Sequence, residues 1–128
     1  MGNMNVENLK LDKVSITVAD GADAAEIKLV GEIDLEDPSI EIKPFLAKLH
    51  DEIIAAGYKT VNVEVLQLSF MNSSGIKELV NWIMKVNVTP AEQRYKINLV
   101  YSKSITWQES SLPVLHKLHP DVVEVKAI

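Results

Sequence analysis

Cysteine is absent from this chain of 128 residues, which excludes disulfide bonds, thiolate metal sites and cysteine nucleophiles. No apolar run approaches the ~20 residues that a membrane-spanning helix needs. The N-terminal segment MGNMNVENLKL is polar and lacks the apolar core of a signal peptide. We therefore expect a cytoplasmic protein that does not associate with membranes.

Basic residues are outnumbered, with 13 Lys and Arg against 18 Asp and Glu, and the net charge is -5. Nucleic-acid binding needs clustered Lys and Arg, so no nucleic-acid partner is expected. The hydrophobic fraction of 47% and the charged fraction of 24% are typical of a folded chain. The length predicts one domain over residues 1–128, in which residues 1–11 could be flexible.

Alternation of apolar and polar residues predicts five strands. The runs are VSITV from Val14, AEIKLVGEI from Ala25, TVNVEVLQL from Thr60, YKINLVYS from Tyr95 and DVVEVKAI from Asp121. A sheet covered on both faces would have strands that are apolar throughout. Alternating strands therefore predict a mixed sheet of about five strands with one face open to water.

Apolar residues at helical spacing predict two clear helices between these strands. The first helix starts near Pro44 and stops at Gly57, and the second runs from about Ser74 to Val88. The element order β-β-α-β-α-β-α-β favours an α/β domain of two layers, with helices packed mainly on one face of the sheet.

The region SITWQESSLPVLHKLH is helical in pattern, but its start is ambiguous. Thr106 and Glu109 have the spacing of a capping box, which would start a helix at this point. Pro113 instead favours a start nearer Ser110 or Ser111. Both starts remain open from the sequence.

The segment FMNSSGIKELVNWIM contains the one run of small polar residues that separates a strand from a helix. Asn72 or Ser73 is suited to cap the helix, because either side chain can accept a hydrogen bond from a free backbone N–H. Gly75 costs helix stability and suggests that something approaches the backbone closely. A helix N-terminus also favours anions, so a serine here could carry a phosphate. The residues alone leave cap and switch both open.

The helical wheel of this segment predicts a core stripe of Ile76, Leu79, Val80, Ile83 and Met84. Trp82 falls off the stripe, beside Glu78 and Lys85. A Trp near the solvent face is often an interface anchor, and the alternative is a ring lying flat over a neighbouring element.

The sequence VNVEVLQLSFMNSSGIKELVNWI resembles the signature of STAS domains, and of bacterial anti-sigma-factor antagonists in particular. In that family the strand runs into a Phe/Tyr-Met-Asp-Ser-Ser/Thr-Gly turn that opens the second helix. LVGEIDLED resembles a second family marker, Gly-x-x-Asp, here Gly31 and Asp34. The order of elements matches over nearly the whole chain, so the resemblance implies a STAS-like fold.

The resemblance also implies a non-enzymatic partner switch. In the family, a GHKL-type serine kinase that doubles as an anti-sigma factor phosphorylates the serine matching Ser73, and a phosphatase reverses this. Ser74 would be the fallback phosphosite, and Asp34 would contact kinase or nucleotide. Asn72 and Gly75 complete the matched turn, while Glu78 and Trp82 are expected on the partner-binding flank of the helix.

Asn72 departs from the family pattern, which has Asp at this position. Asn keeps the capping ability but lacks the charge. The chain therefore resembles a divergent STAS group, whose client could be another signalling protein such as a diguanylate cyclase. A second hypothesis is a STAS scaffold without phosphorylation, in which residues 72–75 only cap the helix and offer a docking surface.

Other chemistry finds little support in the sequence. The acidic loop from Glu32 to Asp37 lacks the glycine and the distant Glu of an EF-hand. His116 and His119 lack a third zinc ligand. A serine hydrolase using Ser73 would need glycine where Met71 stands. We expect no metal and no cofactor.

Overall fold

Six strands form one mixed sheet in the computed structural model, which describes residues 3–128. The strands are β1 (Leu9–Lys10), β2 (Val14–Asp20), β3 (Ala25–Ile33), β4 (Thr60–Met71), β5 (Lys96–Tyr101) and β6 (Val123–Ala127). Their order in the sheet is their order in the sequence. β1, β2 and β3 pair antiparallel, and β3 to β6 pair in parallel. The predicted mixed sheet is confirmed with one more strand, because the two residues of β1 are too few to show alternation.

Helices connect the parallel strands: α1 (Ile42–Ala56) joins β3 to β4, and α2 (Ser73–Asn87) joins β4 to β5. α1 ends as predicted at Gly57, which adopts φ 83° and donates its N–H to the carbonyls of Ile53 and Ile54. A left-handed residue at this position favours glycine.

Two short helices, α3 (Thr106–Ser111) and α4 (Pro113–Leu118), fill the connection from β5 to β6. The predicted helix start at Thr106 is confirmed, but the capping box is wrong, because Ile105 occupies the N-cap and makes no side-chain capping bond. The alternative start near Ser110 or Ser111 lies two or three residues before α4, which begins at Pro113.

The core lies between the helices and one face of the sheet. In β4, Val61, Val63 and Val65 are buried against the helices. Asn62 and Glu64 point to the opposite face, where Asn62 Nδ2 donates to Glu26 at 2.7 Å and Glu64 pairs with Lys28 at 3.6 Å. The two-layer arrangement with one open sheet face is thereby confirmed.

The second half of β4 is held by α3 instead of by a neighbouring strand on that side. β5 pairs with β4 only from Thr60 to Glu64. Beyond that point, the fully buried Gln108 donates to the carbonyls of Val65 at 2.6 Å and Leu68 at 2.8 Å. Trp107 Nε1 donates to Ser69 O at 2.9 Å. These bonds fix the end of β4, which leads directly into α2.

The N-terminal segment contacts the sheet and α1. The backbone N–H groups of Met4 and Asn5 donate to Asp20 and Glu52, and Asn8 Oδ1 accepts from Val18 N at 2.8 Å. Residues 1 and 2 of the segment considered flexible lie outside the described residues. Within residues 3–128, no helix has the length and apolarity needed to cross a lipid bilayer.

Candidate functional site

Asn72 caps α2 and also ties it to the loop after β3. Its side-chain Oδ1 accepts from Gly75 N at 2.8 Å, as predicted for an N-cap. Its Nδ2 donates to Leu35 O at 2.9 Å, and its backbone N–H donates to Ile33 O at 2.9 Å. The start of α2 and the segment from Ile33 to Leu35 are therefore fixed to each other by one residue.

The amide of Asn72 donates a hydrogen bond to Leu35 O, which the carboxylate expected from the resemblance cannot do. A carboxylate accepts hydrogen bonds but donates none when ionised. Aspartate could still cap α2, yet it would place a negative oxygen against Leu35 O. The asparagine that departs from the STAS signature therefore adds a hydrogen bond between the start of α2 and the segment at Leu35.

Gly75 is required by internal packing. A Cβ added to it would lie 2.9 Å from Ile33 Cγ2 and 2.9 Å from Met71 Cγ. Both of these side chains are buried. The close approach suggested by the sequence is therefore made by the protein's own core.

Ser73 and Ser74 are the first two residues of α2, and both side chains are exposed. The first N–H groups of a helix have no partner within the helix, and Asn72 satisfies only that of Gly75. The N–H groups of Ser73 and Ser74 thus remain available at the positive end of the helix dipole. A phosphate on either hydroxyl would lie in a favourable local field.

Asp34 lies beside this helix N-terminus. It is exposed, and it stands between Ile33 and Leu35, whose carbonyls both accept hydrogen bonds from Asn72. Glu36 and Asp37 of the same loop are exposed acids, and so is Glu32 near the end of β3. The structure thus brings Asp34 together with Asn72, Ser73, Ser74 and Gly75, and it gives the site an acidic flank.

Glu78 and Trp82 do not lie on the exposed flank of α2. Both are buried, with 7% and 5% of their surface exposed. The prediction that Trp82 lies near the solvent face was wrong, and so was the assignment of Met84 to the core, since Met84 is 50% exposed. α1 packs beside α2 and shifts the buried stripe toward Trp82, which a wheel drawn for one helix does not show.

A buried hydrogen-bond network holds Trp82 in place. Trp82 Nε1 donates to Tyr95 Oη at 2.7 Å, and Tyr95 Oη lies 2.7 Å from His50 Nδ1. His50 Nε2 is 3.4 Å from Thr89 Oγ1, which donates to Lys85 O at 2.7 Å. These partners favour the neutral His50 tautomer with its proton on Nε2, accepting from Tyr95 at Nδ1.

The environment of this network favours neutral side chains. Burial, and then the charge of Lys85, lower the pKa of His50, while Asp51 opposes the shift. Burial also raises the pKa of Tyr95, against the effect of its bond to Trp82. The network was not foreseen, because its members are far apart in the sequence.

The exposed flank of α2 is built from a different set of side chains than predicted. It consists of Ser73, Ser74, Lys77, Asn81, Met84, Lys85 and Val88. Val88 follows the last residue of the helix and is 78% exposed. The flank is therefore weakly basic with two apolar residues at its far end.

Two of the three histidines are engaged away from the two serines. His50 belongs to the buried network, and His116 Nδ1 contacts Val123 O at 2.6 Å. In the part of the chain that the structure describes, no three His, Asp or Glu side chains are grouped closely enough to hold a metal ion.

Comparison with known proteins was informative only at the level of structure. The chain matches no protein-family model and no curated protein. A solved structure of an anti-sigma factor antagonist from Mycobacterium paratuberculosis is similar, with a TM-score of 0.59 at 18% sequence identity. The match covers 84% of this chain and 83% of that one. The chain therefore shares the fold of that structure, which is the STAS-like fold that the sequence resemblance implied.

Proposed function

We propose that this chain is a non-enzymatic regulatory domain that binds a protein partner at the start of α2 and is switched by reversible phosphorylation of Ser73. The observation that carries the proposal is the geometry of residues 72–75 in this fold. An exposed serine stands at the first position of a 15-residue helix, next to a fixed cap and an acidic loop.

The electrostatic field at the start of α2 would stabilise a phosphate, and the phosphate would change the charge of the partner-binding surface. The free N–H groups and the helix dipole stabilise added negative charge. Asp34 and its acidic neighbours oppose it, and the neutral Asn72 adds no further repulsion. A phosphate adds a charge of about −1.5 to −2 and would make this surface much more negative. A partner that binds the unmodified surface would therefore be released.

The proposed partners follow from the resemblance. A GHKL-type serine kinase, acting also as an anti-sigma factor or as a related signalling protein, would bind the unmodified chain and phosphorylate it, and a phosphatase would restore binding. Ser74 is the fallback site, because its side chain is also exposed. The proposed location is the cytoplasm, and the proposed organisation is a single domain.

A scaffold without phosphorylation is the second candidate, and a specific observation favours it. The bonds of Asn72 and the packing of Gly75 explain two of the four residues in the turn without a modification. Such a scaffold would regulate another signalling enzyme, such as a cyclase. Hydrolysis by Ser73 has weaker support, since no histidine within residues 3–128 is hydrogen-bonded to Ser73 or Ser74.

Intact-mass spectrometry of the chain purified from its native host tests the switch. We expect a species heavier by one phosphate, lost in Ser73→Ala and kept in Ser74→Ala. A phosphate that follows Ser74 would move the site by one residue. No phosphate under any growth condition, together with partner capture unchanged by Ser73→Asp, would leave the scaffold as the better account. Labelling of either serine by a fluorophosphonate would revive the hydrolase.

A further inference from the structure

A groove runs between α1 and α2 and opens to solvent, enclosing about 270 Å³. Glu78 and Trp82 line it from α2 together with Asn81 and Lys85, and Lys43 lines it from α1. Glu78 is five residues beyond Ser73, so the groove begins about 7 Å along the helix axis from the proposed phosphosite. The groove is adjacent to that site but separate from it.

Glu78 lines this groove, and its carboxylate has no hydrogen-bond or ion-pair partner among residues 3–128. The residue is 93% buried, yet among residues 3–128 its oxygens make no hydrogen bond and no ion pair. Both oxygens keep contact with solvent, because no fully buried side-chain oxygen is left unpaired in the described chain. Acidic side chains are rarely buried to this extent unless they are paired.

The charges of the groove are separated between its floor and its rim. Lys43 and Lys85 are exposed and stand at the rim. The two ion pairs within the described chain are Lys28–Glu64 and Lys96–Glu124, so neither rim lysine is paired with Glu78. An anionic floor beneath a cationic rim complements a ligand with a cation at its tip and carboxylates beside it.

We propose that the groove binds an arginine side chain of a protein partner, flanked in the partner's sequence by acidic residues. The guanidinium would form charge-assisted hydrogen bonds with Glu78, because its planar fork matches a carboxylate. Trp82 is buried apart from the small part of its side chain that lines the groove, so it forms an apolar wall beside the guanidinium. The flanking carboxylates would pair with Lys43 and Lys85. The protein source of the arginine rests on the proposed function; the chemistry of the groove does not.

The test is a titration of the ¹⁵N-labelled chain with the capped tripeptide Glu-Arg-Glu, followed by NMR. The matched control is the same peptide with citrulline, which has the shape of arginine without its charge. We expect the arginine peptide to shift the signals of the Trp82 indole and the Glu78 and Asn81 amides. Citrulline should weaken binding about tenfold or more, a factor that corresponds to about 1.4 kcal/mol.

Glu78→Gln should weaken binding of the arginine peptide by a similar factor, whereas Glu92→Gln, a change at an exposed acid outside the groove, should not. Equal binding of the two peptides, equal binding by Glu78→Gln, or no shift in the groove at millimolar peptide would overturn the inference. If Ser73 carries no phosphate and Ser73→Asp leaves partner capture unchanged, while the arginine peptide still binds, only the proposed function is refuted. An intact switch with a silent groove would refute only this inference.

Discussion

Asn72 is the residue whose replacement tests the architecture of the site most sharply. It makes two side-chain hydrogen bonds, accepting from Gly75 N at 2.8 Å and donating to Leu35 O at 2.9 Å. Three substitutions separate them. Asn72→Ser keeps a capping oxygen and loses the amide N–H that bonds Leu35 O, Asn72→Asp does the same and adds a charge, and Asn72→Ala loses both bonds.

The expected magnitudes follow from the two bonds. Loss of an N-cap side chain costs about 1 kcal/mol, and loss of an ordinary hydrogen bond costs a similar amount. Asn72→Ala should therefore lower the free energy of unfolding by about 2 kcal/mol and Asn72→Ser by about 1 kcal/mol. Asn72→Asp gains about 0.3–1 kcal/mol from the helix dipole but turns a carboxylate toward Leu35 O. The lost bond and the dipole gain together leave a net loss of about 0–0.7 kcal/mol, to which repulsion from Leu35 O adds.

Urea unfolding of the four proteins measures these differences, and hydrogen exchange of the loop amides around Leu35 locates them. Asn72→Ser and Asn72→Asp should both speed exchange in that loop, because the bond that holds it is gone. Equal stability of Asn72→Asp and the wild type, with unchanged loop exchange, would show that the bond to Leu35 contributes nothing. The structural explanation for asparagine at this position would then fail.

Further predictions concern packing, anchoring and protonation. Gly75→Ala should destabilise the chain by up to about 2 kcal/mol in urea unfolding, since crowding outweighs the better helix propensity, whereas Ser74→Ala at the exposed neighbouring position should be close to neutral. Gln108→Ala should cost about 2–4 kcal/mol in the same assay, because it leaves buried carbonyls of β4 unpaired; a loss under 1 kcal/mol would contradict the anchoring of β4. For His50, a pKa below the unfolded value of 6.5 means that its contribution to stability is full above that pH and is lost as pH falls through the folded pKa. The wild type should therefore lose more stability than His50→Gln between about pH 7.5 and pH 5.5, and equal losses would contradict a buried neutral histidine.

Local sequence rules predicted the features that neighbouring residues determine. Gly57 ends α1 because a left-handed position favours glycine, and Asn72 caps α2 because its oxygen reaches an N–H three residues on. The alternation of apolar and polar residues along each strand predicted the open face of the sheet, because neighbouring side chains of a strand point to opposite faces. The two residues of β1 carry no such signal, and β1 was missed.

Features that depend on distant partners could not be predicted from the sequence. Trp82 lies off the apolar stripe, yet it is buried and donates its indole N–H to Tyr95. Leu35 O accepts a hydrogen bond from a residue 37 positions away in the sequence. Gln108 donates to carbonyls that are 40 and 43 positions away. The sequence therefore indicated the cap of α2, but not the groove between α1 and α2.

Partner capture by the unmodified and modified surface tests the central claim most directly. The measurement compares the partner recovered from the native host by wild type, Ser73→Asp and Ser74→Asp, with bound proteins identified by mass spectrometry. We predict that Ser73→Asp loses a specific signalling partner that wild type captures, and that Ser74→Asp loses less of it. Equal capture by all three would contradict a switch at Ser73.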